Sequence, residues 1–215
     1  MMIQLENIVE ARRAGGEIEA GDFEHEAWGG ARPASVARYW SGEEAPAERR
    51  AEARLVWTDA ALSVRFEYRQ AEPLVVSAAP RLDRKTLGLW ERDVCEIFVA
   101  PDPTAPERYF EFEAAPTGEW LDLAVHLGPR GRETDWHFRS GMTAAARVRG
   151  ERVLIAMRIP WKPLGRAPRA GERWRGNLFR CVGAGETRGY VAWQPTHTPE
   201  PSFHVPEKFG WIRFK

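Results

Sequence analysis

Two stretches of the chain alternate apolar and acidic side chains in a way that can place several carboxylates side by side. Residues 94–99 read Val-Cys-Glu-Ile-Phe-Val, and residues 109–113 read Tyr-Phe-Glu-Phe-Glu. Successive side chains of an extended strand point to opposite faces. The alternation therefore predicts a core face made of the apolar members Cys95, Ile97, Val99, Phe110 and Phe112. The opposite face, turned outward, carries Glu96, Tyr109, Glu111 and Glu113.

If the two strands are neighbours in a sheet, Glu96 and Glu111 lie in one concave patch with Trp90 at its rim. A carboxylate accepts hydrogen bonds from neighbouring hydroxyl groups, and an indole packs on the C–H face of a sugar ring. This combination of side chains suits carbohydrate binding. A plainer interpretation stays open, because alternating glutamates are also the usual solvated face of a strand.

The same two glutamates allow an enzymatic alternative. Paired carboxylates serve as the acid and the nucleophile or base of glycoside hydrolases, and Glu96 with Glu111 is such a pair. That activity requires one of the two carboxyl groups in an apolar pocket with a raised pKa.

Two other groups of side chains are candidates for metal binding. His197 and His204 lie in a proline-rich loop with Glu200 and Glu207 nearby, but their spacing matches no strong metal motif. Ordinary surface histidines are the favoured interpretation. Four aspartates in or near loops offer calcium ligands without an EF-hand loop: Asp83, Asp93, Asp102 and Asp122.

The composition argues against several classes of protein. The chain has 215 residues, 31 basic and 31 acidic side chains and 43% hydrophobic residues, which is typical of a soluble globular protein. A formal net charge of zero argues against a polybasic surface for nucleic acid or membranes. The sequence contains no P-loop, GxGxxG or GxSxG motif. Residues 1–6 show no signal sequence, so we expect a cytoplasmic location.

Alternation with a period of two recurs along the chain and predicts about ten short strands with little helix. The predicted strands are 51–57, 62–69, 94–100, 108–114, 119–127, 144–149, 152–159, 174–182, 190–194 and 209–214. Turn signals separate them, which indicates a single antiparallel β-sandwich over residues 1–215. Most of the ten tryptophans lie at strand positions, where core packing is the default. Cys95 and Cys181 lie in apolar strand patterns, which favours buried free thiols, while a bridge between them stays an open alternative.

The stretch Trp-Glu-Arg-Asp-Val-Cys-Glu-Ile-Phe-Val at residues 90–99 strongly resembles the signature strand of family 9 carbohydrate-binding modules and of their DOMON-like relatives. Further similar blocks follow in the family's order along nearly the whole chain, at residues 21–28, 54–64, 158–161, 174–180, 192–196 and 206–210. Any one block is weak, whereas their order is specific. The resemblance implies a jelly-roll or immunoglobulin-like sandwich that binds a mono-, oligo- or polysaccharide without catalysis and supports polysaccharide breakdown.

The resemblance also implies roles for particular residues. Family members hold sugar between two aromatic side chains, which fall on Trp90 and on the smaller ring of Phe203. A carboxylate that accepts hydrogen bonds from sugar hydroxyls falls on Glu96. Contacts of second rank are expected at Glu111, Asn177, Arg180, Trp193 and His204, with a structural role as the alternative for Arg180 or Asn177. Two positions depart from the family, because Glu111 replaces a basic contact residue and Phe179 replaces an amide.

This interpretation requires no cofactor, although a structural calcium ion is typical of the family. Kinship with DOMON-like proteins gives a second alternative, in which haem is held by Met157 or the loop histidines. Met157 lies on the apolar face of its strand, so core packing is favoured for it. Family members usually accompany secreted hydrolases, in contrast to the cytoplasmic expectation above.

Overall fold

The computed structural model describes residues 7–215, and this part of the chain is all-β with little helix. Its strands are β1 (Ile8–Arg13), β2 (Ala34–Val36), β3 (Arg38–Tyr39), β4 (Ala51–Trp57), β5 (Ala61–Arg69), β6 (Val94–Ala100), β7 (Arg108–Ala114), β8 (Trp120–Gly128), β9 (Gly131–Asp135), β10 (Thr143–Arg149), β11 (Arg152–Pro160), β12 (Arg173–Val182), β13 (Gly189–Ala192) and β14 (Gly210–Phe214). Short helical segments are α1 (Ala27–Gly30) and the 3-10 turns Ala47–Arg49, Leu89–Glu91, Lys162–Leu164, Gly185–Thr187 and Pro206–Lys208. Residues 1–6, in which no signal sequence is predicted, lie outside the described residues.

These fourteen strands belong to one mixed sheet. Its main path runs β10-β11-β5-β4-β1-β14-β12-β6-β7-β8-β9, and the short strands β2, β3 and β13 attach beside it. The all-β prediction is confirmed, but the strands outnumber the ten predicted and their pairing is not wholly antiparallel. β1 runs parallel to both β4 and β14. It joins the two halves of the sandwich because it pairs with one half along each of its edges.

The predicted strands 51–57 and 62–69 correspond to β4 and β5, which form a hairpin with Leu55 opposite Val64 in an antiparallel pair. Its turn is closed by Thr58, whose Oγ1 accepts hydrogen bonds from the backbone N–H of Ala60 and Ala61 at 3.2 and 3.1 Å. A threonine side chain that satisfies two turn amides stabilises this local structure before any tertiary contact forms.

The main core lies between the two halves of the sheet and contains most of the tryptophan packing. Trp57, Trp161 and Trp174 are at most 3% exposed. The rings of all three pack edge-on against Phe214 at centroid distances of 5.0–5.9 Å. Buried aromatic pairs of this geometry contribute about 0.5–1.5 kcal/mol each beyond the area they bury. The high tryptophan content is therefore largely architectural, as predicted.

A second apolar cluster lies on the outer face of the half-sheet formed by β6, β7, β8 and β12. Phe98, Tyr109 and Phe179 belong to this cluster. Cys181 belongs to it as well, whereas Cys95 lies in the main core. The two thiols are free and buried, which confirms that prediction, and their positions on opposite faces of the sheet exclude the bridge. Within residues 7–215, no helix has the length and apolar character needed to cross a bilayer.

Candidate ligand-binding site

A cavity of about 250 Å³ opens on the outer face of this half-sheet. Strands β6, β7, β8, β9 and β12 contribute to it, together with Tyr190 of β13 and the loop that ends at His204. The residues that line it are Trp90, Glu96, Phe98, Glu111, Leu123, Arg132, Thr134, Trp136, Cys181, Tyr190, Pro201, Ser202, Phe203 and His204. The cavity thus combines aromatic rings with a few polar groups, as small-molecule sites usually do.

Two tryptophans form the exposed rim of the cavity. The side chains of Trp90 and Trp136 are 37% and 41% exposed, and their rings lie 6.1 Å apart with 43° between the planes. Trp90 sits in the 3-10 turn Leu89–Glu91, which is preceded by Gly88 in the left-handed region at φ 75°. Arg188 holds this turn in place by donating hydrogen bonds to the carbonyl oxygens of Trp90 and Arg92. Exposed indoles on a fixed turn are costly unless they serve binding.

Three glutamates lie together at the floor of the cavity. Glu96 and Glu111 line it, and Glu113 lies beside them on the same face of the sheet. Glu96 on β6 is directly opposite Glu113 on β7, and Glu111 lies one pleat further along the same face. A carboxylate oxygen from each of the three lies within 4.8 Å of the others. Their residues are 2%, 0% and 4% exposed, respectively. The prediction that Glu96 and Glu111 share the face opposite the core is confirmed, but the expected exposure of Glu96 is wrong, because the second apolar cluster, which includes Cys181 and Phe203, covers this face.

The hydrogen bonds of these carboxylates are incomplete. Both carboxylate oxygens of Glu113 and Oε2 of Glu111 are buried without a hydrogen-bond partner. The Cys181 thiol donates a hydrogen bond to Oε1 of Glu96 at 3.4 Å, which is a weak contact. An uncompensated buried carboxylate is costly, and the protein supplies few donors to compensate the carboxyl groups at the floor of the cavity.

Burial governs the protonation of these groups. Desolvation raises the pKa of Glu96 to about 8, with the charge of Glu111 adding to the effect. Desolvation also raises the pKa of Glu111 and of Glu113. The His204 ring shares a hydrogen bond of 2.7 Å between its Nδ1 and the Tyr109 hydroxyl. Burial, with a smaller effect from Arg132, lowers the pKa of His204 to about 3, so this imidazole is neutral at physiological pH.

The structure brings five of the eight residues named from the sequence to the cavity: Trp90, Glu96, Glu111, Phe203 and His204. Asn177 and Arg180 instead make internal contacts. The Asn177 amide bonds to the backbone N–H and carbonyl of Gln194 at 3.0 and 2.8 Å. The Arg180 guanidinium donates to Oε1 of Gln70 at 2.8 Å and lies 3.7 Å from the centroid of the Tyr68 ring. Both side chains therefore stabilise the fold where they lie.

Trp193, the remaining residue of that set, belongs to the main core and is 9% exposed. It lines a different cavity, together with Arg32, Arg50 and Arg213. Its indole covers Gly210, where a Cβ atom would overlap the ring. Trp193 therefore lies away from the Trp90 rim.

The lining residues that sequence reasoning did not assign to the site include Trp136, Tyr190 and Arg132. Arg132 lies on β9, and Trp136 follows that strand directly. The sequence of β9, Gly-Arg-Glu-Thr-Asp, has no apolar member, so no hydrophobic alternation could reveal it. Tyr190 lies in a predicted strand, but its direction depends on the pairing of β13 with β3 and β12.

Within residues 7–215, Glu96, Glu111 and Glu113 form the one grouping of side chains with the spacing of a metal site. The loop aspartates bond within the protein instead. Asp122 accepts from Lys85 Nζ at 3.1 Å and from the Ser140 hydroxyl at 2.7 Å. Asp93 accepts backbone N–H bonds from Val75 and Gly183. His197 is bonded to the Ser41 carbonyl oxygen at 2.9 Å, apart from His204.

An open pocket with an indole rim and buried carboxyl groups at its floor has the composition of a small-molecule site. The family model described as "Carbohydrate family 9 binding domain-like" matches residues 20–215. The chain therefore belongs to this family, which confirms the resemblance read from its sequence blocks. Membership indicates non-catalytic carbohydrate binding. A search of curated proteins found no match.

Solved structures support the same fold. A putative carbohydrate-binding protein from Bacteroides uniformis is 19% identical, with a TM-score of 0.75, and the match covers 97% of this chain and 99% of that one. A family 9 carbohydrate-binding module from Caldicellulosiruptor kristjanssonii was solved in complex with cellotriose and with glucose. These two structures are 16% and 17% identical, with TM-scores of 0.64 and 0.65; each match covers 97% of this chain, and 93% and 95% of theirs.

Proposed function

We propose that the cavity beneath Trp90 and Trp136 binds a saccharide without transforming it. The observation that carries this proposal is a pair of exposed indoles at the mouth of a cavity whose floor consists of carboxylates. The C–H face of a sugar ring packs on an indole, while carboxylates accept hydrogen bonds from its hydroxyl groups. A sugar offers both kinds of surface at once, so it matches the site better than a purely apolar or purely polar ligand.

The arrangement of the two tryptophan rings supports packing of a sugar ring on one wall of the cavity. Trp90 and Trp136 contact each other, so they form a continuous surface on which a sugar ring rests. Phe203 supplies a second aromatic surface inside the cavity. Its ring stacks on Phe179 at 3.9 Å with 11° between the planes, which fixes its orientation and covers one of its faces. At the inner end, Glu96 and Glu111 accept hydrogen bonds from the ligand.

The size of the cavity supports a single sugar ring or the end of a longer chain. Its volume of about 250 Å³ lies just below the usual range for sites that take drug-sized ligands, roughly 300–1,000 Å³. The module from Caldicellulosiruptor kristjanssonii is described in complex with glucose and with cellotriose. A domain of the same family and fold thus accommodates both a monosaccharide and an oligosaccharide.

The two alternatives raised by the sequence have less support. A two-carboxylate hydrolase needs one group protonated and the other ionised, whereas burial shifts the pKa values of Glu96 and Glu111 in the same direction. Haem ligation by Met157 is opposed by the position of this side chain, which is 0% exposed in the main core.

Titration of the purified protein with neutral mono- and disaccharides, followed by tryptophan fluorescence and by calorimetry, tests the proposal. We expect saturable binding that is weakened about tenfold or more in Trp90→Ala, equivalent to about 1.4 kcal/mol. The matched control is Trp211→Ala, because Trp211 on β14 is also partly exposed but packs on Arg173 and Arg175 away from the cavity. Thermal unfolding of Trp90→Ala should stay near that of the wild type.

Three results would count against this assignment: no binding of any saccharide, unchanged binding in Trp90→Ala, or an equal loss in Trp211→Ala.

The proposed site requires no cofactor. This part of the proposal is tested by repeating the titration after dialysis of the protein against a chelator that removes calcium. Unchanged affinity supports a cofactor-free site. Loss of binding that calcium restores would show that the ion is part of the site.

A further inference from the structure

The three glutamates at the floor of the cavity supply more carboxyl groups than the binding of a neutral sugar needs. A single carboxylate accepts several hydrogen bonds from hydroxyl groups. Here the oxygens of Glu96, Glu111 and Glu113 converge within 4.8 Å. Carboxyl groups this close cannot all be ionised in a buried site unless a cation joins them. The cluster therefore calls for protons or for a positively charged ligand.

The basic groups that face this cluster do not neutralise it. Within the described residues, His204 is the one basic side chain within 4.0 Å, measured from its Nε2 to Oε2 of Glu111, and its lowered pKa keeps it uncharged. Arg188 lies near enough to favour ionisation of Glu96, but its guanidinium bonds to backbone carbonyls and to Asp93. Arg132 lines the cavity, and its charge favours ionisation of Glu111, but its side chain is exposed and, among the described residues, forms no salt bridge with the three glutamates.

An unpartnered carboxylate oxygen points to the place of the missing cation. Glu111 lines the cavity, its side chain is 5% exposed, and its Oε2 has no hydrogen-bond partner. Among residues 7–215, the other contacts of these carboxyl groups are the Cys181 thiol on Glu96 and a proton that Glu111 and Glu113 can share. A ligand donor that reaches Glu111 would therefore satisfy a group that the protein leaves unsatisfied, which is energetically favourable.

The aromatic wall independently favours an organic cation. Trp90, Trp136 and Tyr190 line the same cavity as Glu111, and the faces of such rings attract ammonium groups. Calcium, by comparison, takes six to eight oxygen ligands, whereas much of this lining is aromatic carbon and the Leu123 side chain. An ammonium group on a sugar ring uses the rings and the carboxylates together.

Building on the saccharide site proposed above, we propose that its preferred ligand is a cationic saccharide, a hexosamine with a free amino group, whose ammonium binds Glu111 and Glu96 beneath Trp90. The ammonium group supplies three hydrogen-bond donors and a positive charge. Charge-assisted hydrogen bonds of this kind are about twice as strong as neutral ones. A neutral hexose fits the same wall and donates hydrogen bonds from its hydroxyl groups, but it brings no positive charge to the carboxyl groups.

The proposal is tested by calorimetric titration with three matched probes: D-glucosamine, N-acetyl-D-glucosamine and D-glucose, followed by D-galactosamine and D-galactose. We expect at least one hexosamine to bind about tenfold or more tightly than its hexose. Acetylation, which removes the charge, should abolish that preference. Because an ammonium favours ionisation of Glu96, hexosamine binding should also release protons, which appear as a dependence of the measured heat on buffer ionisation enthalpy. Hexose binding should release none.

Glu111→Gln should lower the ratio of hexosamine to hexose affinity toward one. The exposed Glu186→Gln serves as the matched control, since it removes one carboxylate from the 3-10 turn Gly185–Thr187 and should leave the ratio unchanged. The probes act on the wild type as well, so the test stands even if a variant fails to fold.

Two outcomes would overturn this inference while leaving the saccharide site intact. One is equal affinity for hexosamine, acetylated hexosamine and hexose. The other is tight binding of Ca²⁺ or Mn²⁺ alone that hexosamine does not displace, which would assign the carboxylates to a metal. Failure of every saccharide to bind would overturn both proposals, so the two failures are distinguishable.

Discussion

Replacement of Glu96 by glutamine should make the stability of the protein less dependent on pH. The pKa of this carboxyl group is raised from 4.5 to about 8, first by burial and then by the charge of Glu111. Between these two values the unfolded chain has lost the Glu96 proton while the folded protein retains it. The folded state thus binds more protons, and the free energy of unfolding must fall as pH rises through this interval.

The size of this effect follows from the same shift. Each pH unit over which the two states differ by one proton changes the free energy of unfolding by about 1.4 kcal/mol. His204 has the opposite sign, because its pKa is lowered from 6.5 to about 3, so its contribution is complete above pH 6.5. Between pH 6.5 and 8, Glu96 alone should therefore lower the free energy of unfolding by about 2 kcal/mol. That is a large part of a typical total of about 5–15 kcal/mol.

The assay is urea unfolding of the wild type, Glu96→Gln and the exposed control Glu186→Gln at several pH values from 6.5 to 8. The wild type and the control should lose stability in parallel, whereas Glu96→Gln should lose about 2 kcal/mol less. Glu113 and Glu111, whose pKa values are also raised, leave a residual slope in every protein. If wild type and Glu96→Gln show the same pH dependence, the carboxyl group is not buried in the uncompensated environment described above.

Three further predictions concern the fold around the site. Arg180→Ala should lower the free energy of unfolding by about 2–4 kcal/mol, because it removes the partner of Gln70 and the cover of the Tyr68 ring; unchanged urea unfolding would contradict this. Gly210→Ala should also destabilise the protein, since the added methyl group overlaps the Trp193 ring, and a melting temperature equal to that of the wild type would show that the ring moves freely. The two buried thiols, whose pKa values are raised by desolvation, should react with a thiol reagent at neutral pH only after denaturation; rapid labelling of the native protein would be the contrary result.

Much of the fold was predictable because the alternation of apolar and polar residues along the sequence matches the burial of their side chains in the structure. The predicted strands 51–57, 94–100 and 108–114 match β4, β6 and β7 in full, and each has a continuous apolar face in the core. Three of the four strands that sequence reasoning missed are short or polar: β2 and β3 have three and two residues, and β9 has no apolar residue. The fourth, β1, has six residues and pairs in parallel with β4 and β14, a long-range arrangement that local alternation does not show.

Part of the candidate site was predictable from the same alternation of side chains along the strands. The period of two places Glu96 and Glu111 on one face, but it does not say whether that face is covered. Tyr190 and Phe203, which line the same cavity as Glu96, come from distant segments whose positions depend on long-range pairing. Trp136 escaped notice because the strand that carries it to the rim has no hydrophobic pattern. Arg180 and Trp193 were assigned to the ligand although their partners, known only from the three-dimensional structure, are internal.

The most direct test of the central claim is a crystal structure of the protein with the saccharide that binds best in the titrations. We expect a sugar ring packed on Trp90 and Trp136, with a polar substituent within hydrogen-bond distance of Glu111. A sugar bound only elsewhere, such as in the second cavity beside Trp193, with the Trp90 cavity holding solvent, would contradict it.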